Sequence, residues 1–127
     1  MARTNSRFLQ ALPLAGFFGI TGVGLGAFGA HGLETLLAER GMTKTWETAV
    51  LYQLVHTVAI LAVGAARPGN RAPVLCWALG IILFSGSLYL LALGGPGFLG
   101  PITPLGGLLL IAGWGFVLFT RERPGGA

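Results

Sequence analysis

The chain has 127 residues, 54% hydrophobic and 9% charged, with eight lysines and arginines against four acids for a formal net charge of +4. Soluble domains carry roughly 25% charged residues, and this composition in water would leave large apolar faces exposed. A soluble globular domain is therefore excluded, one domain is all the length allows, and the scattered basic residues form no stripe that nucleic acid would need.

Residues 8–33 hold no lysine, arginine or acid in 26 positions, and seven of them are glycine. A hydrocarbon core ~30 Å thick takes ~20 apolar residues in a helix, and glycine at this density would destabilise a helix in water. A transmembrane helix over 8–30 follows. Gly22 and Gly26 form a G-x-x-x-G pair that Ala30 extends and Gly16, Gly19 and Gly29 widen, so a neighbouring helix is expected against this face. Arg3 and Arg7 before an apolar run also suit a secretory signal peptide. The run exceeds the roughly 7 to 15 apolar residues of a signal core, so its retention is expected.

Leu33, Leu36 and Leu37, spaced i, i+3 and i+4 among Glu34, Glu39, Arg40 and Lys44, predict a short amphipathic helix at the membrane surface. Gly41 suits its C-cap, Thr43 or Thr45 the cap of the next span, and Trp46 an anchor at the interface. The second span, 46–66, carries Tyr52, Gln53 and His56 at helical spacing, on a face expected to point inward, opposite the glycine row. At 1.5 Å per residue, His56 lies ~15 Å past Trp46, near mid-membrane. An ionisable group at that depth is either a neutral hydrogen-bonding core histidine or a proton relay or ligand contact.

The 49 uncharged residues between Arg71 and Arg121 are broken by the glycine- and proline-rich stretch 94–101, which predicts a turn between spans 73–93 and 102–120. Pro73 fits a first helical turn. Cys76 is the single cysteine, so neither an internal disulfide nor a thiol pair is available. Trp77 and Trp114 lie deeper in their spans and suit packing.

With four spans, one side carries Arg3, Arg7, Arg67, Arg71, Arg121 and Arg123, and the other carries Arg40 and Lys44 offset by Glu34 and Glu39. The positive-inside rule then places both termini in the cytoplasm. On the opposite side topology brings His31, Glu34, Glu47, Tyr89 and Thr103 to similar depth. That layer reads as a hydrogen-bonded interfacial cap, with divalent metal ligation the sharper alternative. His31 and His56 differ in depth by most of 15 Å, too far to sandwich one haem iron within a chain. The chain has no aspartate, no phosphate-binding loop followed by lysine, and no Ser/His/acid set at a common depth. Gly22-Val23-Gly24-Leu25-Gly26 looks like a dinucleotide fingerprint only out of context, since it lies inside a membrane helix. No catalysis, metal or cofactor is expected.

Four ordered motifs carry a resemblance: Gly26-Ala27-Phe28-Gly29-Ala30-His31-Gly32-Leu33; Trp46-Glu47-Thr48-Ala49 with Tyr52, Gln53 and His56; Phe84-Ser85-Gly86-Ser87-Leu88-Tyr89-Leu90; and Ile102-Thr103-Pro104-Leu105-Gly106-Gly107. On these motifs the chain resembles the YgdD-like family of small bacterial inner-membrane proteins. The resemblance implies a multi-spanning plasma-membrane protein of unestablished role, without agreed catalytic residues. It draws attention to His31, Tyr52, Gln53, His56, Ser85, Ser87, Tyr89 and Thr103. The expectation is thus an all-α, four-span bundle among membrane lipids, acting by association with itself or within a larger membrane complex, the glycine face serving as the docking surface. The alternative is a small oligomeric transporter or channel with the polar residues of the second span beside its pathway.

Overall fold

The computed structural model describes residues 2–120, with side chains at Ser6 and from Phe8 onward. These residues form five helices: α1 (Ala2–Ala30), α2 (Glu34–Arg40), α3 (Thr43–Ala66), α4 (Arg71–Ala92) and α5 (Leu99–Leu118). Four contain stretches long and apolar enough to cross a membrane: Phe8–Ala30, Thr43–Ala66, Arg71–Ala92 and Leu99–Leu118. The chain is an all-α polytopic membrane protein. Of the charges used for sidedness, Arg121 and Arg123 and the side chains of Arg3 and Arg7 lie outside the described residues.

The helix ends follow local chemistry. Gly41 adopts φ 66°, the left-handed turn that closes α2, and Met42 N–H then donates to Leu37 O at 2.8 Å. Gly94, at φ 92°, does the same service after α4. Two expected boundaries shift. α3 starts at Thr43 with Met42 before it and no side-chain cap, so neither Thr43 nor Thr45 has the capping role expected of it. α5 starts at Leu99 instead of residue 102, because Pro101 falls in the first turn, where a missing N–H costs nothing.

The spans pack in the order α1, α3, α4, α5, each closely against the next. On α1 the inward stripe runs through Ala11, Ala15, Phe18, Gly22 and Gly29, at alternating steps of four and three until the last. Against it lie Thr57, Leu54, Val50 and Trp46 of α3. The α4–α5 seam is tighter: Gly106 sits directly on the backbone of Leu83 and Phe84, Gly80 faces Leu110, and Gly113 faces the Trp77 ring. Two apolar clusters result. One joins Phe18, Ile60, Trp77, Ile81 and Leu110. The other joins Leu37 of α2 to Trp46, Ala49, Tyr89 and Ala92, so α2 covers one end of the helices.

Candidate functional site

Polar side chains within a membrane span have no water to turn to, so their partners decide what they can do. Gln53 is 3% exposed. Its Nε2 donates to Phe18 O at 2.9 Å and to Thr21 Oγ1 at 2.8 Å, both on α1, while its Oε1 accepts from the Tyr89 hydroxyl of α4 at 2.7 Å. Thr21 in turn donates to Phe17 O at 2.9 Å. One amide thereby ties three helices. A helix needs glycine or alanine opposite such a group for the amide to reach its backbone, and Gly22 supplies the room, its position lying 3.3 Å from Gln53 Nε2 for any added Cβ.

His56, 5% exposed, joins α3 to α5. Trp114 Nε1–H donates to His56 Nε2 at 3.0 Å, and His56 Nδ1 lies 2.7 Å from Tyr52 O. An indole only donates, so Nε2 must be the bare nitrogen and Nδ1 must carry the proton given to Tyr52 O. Both ring nitrogens are engaged in the neutral form. Trp77 and Trp114 pack on the same ring at centroid distances of 6.1 and 5.9 Å, and Trp77 Nε1 donates to Leu110 O at 3.2 Å.

The other candidates divide. Ser85 Oγ donates to Ala49 O at 2.7 Å, linking α4 to α3. Ser87 Oγ and Thr103 Oγ1 share a hydrogen bond of 2.5 Å, linking α4 to α5. Among the described residues no buried side-chain nitrogen or oxygen lacks a hydrogen-bond partner.

Three expectations about this region need correction. Tyr52, Gln53 and His56 do not act as one inward face: Tyr52 is 42% exposed, its ring stacked beside His56 and tilted against Phe84, Gln53 turns toward α1, and His56 turns toward α5. Around an α-helix positions 52 and 53 differ by about 100° and positions 53 and 56 by about 60°, enough for each side chain to meet a different neighbour. Gln53 also points to the glycine side of α1 instead of away from it. The outer polar layer does not assemble as one cap either. Tyr89 turns down to Gln53 and Thr103 to Ser87, whereas His31, Glu34 and Glu47 stay exposed. Among the described residues no three of His, Cys, Asp and Glu come close enough to hold a metal ion. Glu34 and Glu47 do share a groove of about 570 Å³ with Gly26, Gly29, Ala30 and Trp46, at the α2 end of α1 and α3.

Sequence reasoning also misread or passed over two groups. Trp46 is no surface anchor: it is 3% exposed, with its Nε1–H on Leu25 O at 2.9 Å and its ring edge-on to Tyr89. Arg40 does not remain a free outer-side charge, because its Nε donates to Ala92 O at 3.0 Å and closes the C-terminus of α4. Gly29, which leaves room for the indole, was the available signal for the first; a cation 52 residues from its carbonyl partner leaves none for the second.

Of the glycine face, Gly19, Gly22 and Gly26 lie against Thr57, Leu54 and Val50 of this chain's own α3, and Ala30 is exposed beside the Glu34 groove. The row is therefore an internal seam.

The family described as "Protein of unknown function (DUF423)" matches residues 25–107, which reach from the end of α1 into α5. A UPF0382 membrane protein of Staphylococcus haemolyticus is 50% identical over 97 residues, covering 72% of this chain and 78% of the relative. One from Haemophilus influenzae is 42% identical over 115 residues, covering 87% and 89%. One from the yeast Schizosaccharomyces pombe is 37% identical over 114 residues, covering 83% and 95%. No solved structure matches the chain. Matches of this extent and identity settle the family: the chain belongs to the DUF423 (UPF0382) family of membrane proteins of unknown function.

Proposed function

We propose that the protein is a non-catalytic, membrane-embedded scaffold of the bacterial plasma membrane, of the YgdD-like kind, that acts by associating with further copies or with a larger membrane complex. The observation that carries this reading is the saturation of its buried polar groups within the chain: Gln53, His56, Ser85, Ser87, Thr103 and Tyr89 each make at least one hydrogen bond to another helix. Buried polar groups committed this way specify packing. A reacting group would need a free valence for substrate. A transport path along α3 would have to pass His56, whose two ring nitrogens are both occupied.

The surfaces left for partners are the end members of the row. α1 and α5 each have one closely packed span as neighbour, and α1 turns Ile20, 78% exposed, away from α3 together with Gly16 and Gly24, which have open space around them. Small residues beside exposed apolar ones are what a second transmembrane helix packs on. Both termini are placed in the cytoplasm on the charge asymmetry.

Native mass spectrometry of the protein extracted gently from its own membrane tests the proposal. Complexes larger than one chain, lost in Gly16→Leu or Gly24→Leu while the monomer stays folded, are expected. A purely monomeric protein in that extract would sink it.

A further inference from the structure

The α3–α4–α5 side of the molecule contains a cleft of about 360 Å³ beside the Trp77–Trp114 pair. It exists because α3 and α5 flank α4 without packing closely on each other, and because α3 presents alanines there, at positions 59, 62 and 66. One end is closed by the rings of Trp77 and Trp114, 4.7 Å apart between centroids and tied to α3 through His56. The other end is polar. Arg67 and Asn70 line it, with Asn70 Nδ2 donating to Thr120 Oγ1 at 2.8 Å. Arg67 also borders a smaller pocket of about 110 Å³ shared with Arg71, so two arginines flank the α3–α4 connection at the membrane boundary.

The chemistry of an occupant can be read from those walls. Apolar space in a protein stays dry and takes up apolar molecules, and this space opens past exposed Ala62 and Ala66 into the surroundings of the spans, which are hydrocarbon. A hydrocarbon chain that enters from the membrane carries its headgroup to the depth of Arg67, where a cation attracts an anion. We propose that the cleft binds one acyl chain of an anionic phospholipid, with its phosphate at Arg67 and the chain end at the Trp114 indole that covers Trp77. The charge at the mouth selects the headgroup, and the length between Arg67 and the tryptophan pair limits how much chain is held.

Tryptophan quenching in lipid nanodiscs reads this directly. Trp77 is 0% exposed yet lines the cleft, and Trp46 is buried among α1, α2 and α4. In Trp114→Phe, which removes the half-exposed indole, a phosphatidylglycerol with brominated acyl chains is expected to quench saturably at a few mole per cent. Phosphatidylcholine carrying the same brominated chains should quench less at equal content. Arg67→Gln should raise the phosphatidylglycerol content needed for half-quenching about fivefold, the size of one headgroup-facing cation's contribution. Ala62→Phe and, independently, Ala66→Phe fill the cleft from lipid-exposed positions and should abolish the difference between the two lipids. Equal quenching by both lipids, a difference that survives both filling variants, or stronger quenching by a brominated free fatty acid would overturn the proposal. So would protection of Trp77 from every brominated lipid, since that places a protein helix in the cleft.

Discussion

The two outer seams use the same small residue for different ends. Along α4–α5, Gly106 meets backbone: an added Cβ would lie 2.8 Å from Leu83 C and closer still to Phe84 N. Along α1–α3, Gly22 and Gly26 meet the ends of side chains, with Leu54 Cδ2 at 2.6 Å and Val50 Cγ1 at 3.1 Å from the corresponding Cβ positions. Lipid supplies little drive to bring helices together, so a seam holds by van der Waals fit and hydrogen bonds. The α4–α5 seam leans more on the first, reaching backbone contact, and adds the Ser87–Thr103 pair and the Trp77 Nε1–H bond to Leu110 O. The α1–α3 seam leaves room for side chains and fills it with polar groups, from Gln53 to Phe18 and Thr21 and from Trp46 to Leu25. Closeness and polarity thus substitute for each other within one small protein.

If that contrast is right, Gly106→Ala is the most damaging single methyl. No rotamer change relieves a clash with main chain, so α4 and α5 must part, at about 3 kcal/mol, the upper part of the range for overpacking. Unfolding in detergent titrated with sodium dodecyl sulfate would measure it, and a loss below that of Gly22→Ala would erase the distinction between the seams. Gly29→Ala comes next. Its methyl meets the Trp46 indole, a rigid ring that must swing away and give up its bond to Leu25 O, costing about 2 kcal/mol. A shift in indole fluorescence should accompany the loss of stability.

Gln53→Leu probes the polar side of the contrast. It strands the Tyr89 hydroxyl at 9% exposure and removes both bonds to α1, for an expected cost of about 1 to 2 kcal/mol. Trp114→Phe removes one bond at a half-exposed position and should cost about 0.6 kcal/mol, the average for such bonds in a membrane protein. A double change of Gln53→Leu with Tyr89→Phe should recover part of the first loss, because the stranded hydroxyl is gone.

How far these seams were legible in the sequence follows from the range of each signal. Spans declare themselves by length and hydropathy, and all four emerge at the expected places with ends moved by at most three residues. The G-x-x-x-G row at Gly22 and Gly26 announces a helix contact but not whose helix it is, and α3 of the same chain takes it. Gly106 and Gly113 are seven apart and Gly80 stands alone, so the closest seam carried no short motif. Depth arguments brought Gln53 and His56 forward as polar positions, since both facts are local. They could not assign partners: Gln53 to Tyr89 spans 36 residues and His56 to Trp114 spans 58, and no local signal reaches that far. Trp46 was misplaced for the related reason that an aromatic near a span end reads the same whether it faces headgroups or a glycine of the next helix.

The gentlest test lies on the outward side of α1, where Gly16 and Gly24 have nothing within 4 Å to receive a Cβ. Alanine at either position touches no neighbour in the chain and removes a helix-destabilising glycine, so a gain of up to about 0.8 kcal/mol in monomer stability is expected. Alanine at the inward glycines Gly22 and Gly29, whose Cβ would meet Leu54 and Trp46, should lose stability by more than that. The sign change around one helix separates glycines that serve the fold from those open to the surroundings. Should Gly16→Ala and Gly24→Ala instead weaken the protein in its native membrane while leaving the isolated monomer unchanged, the outward face would be occupied there by another helix. The inward and outward faces of α1 would then be two seams of the same kind, one closed within the chain and one closed between chains.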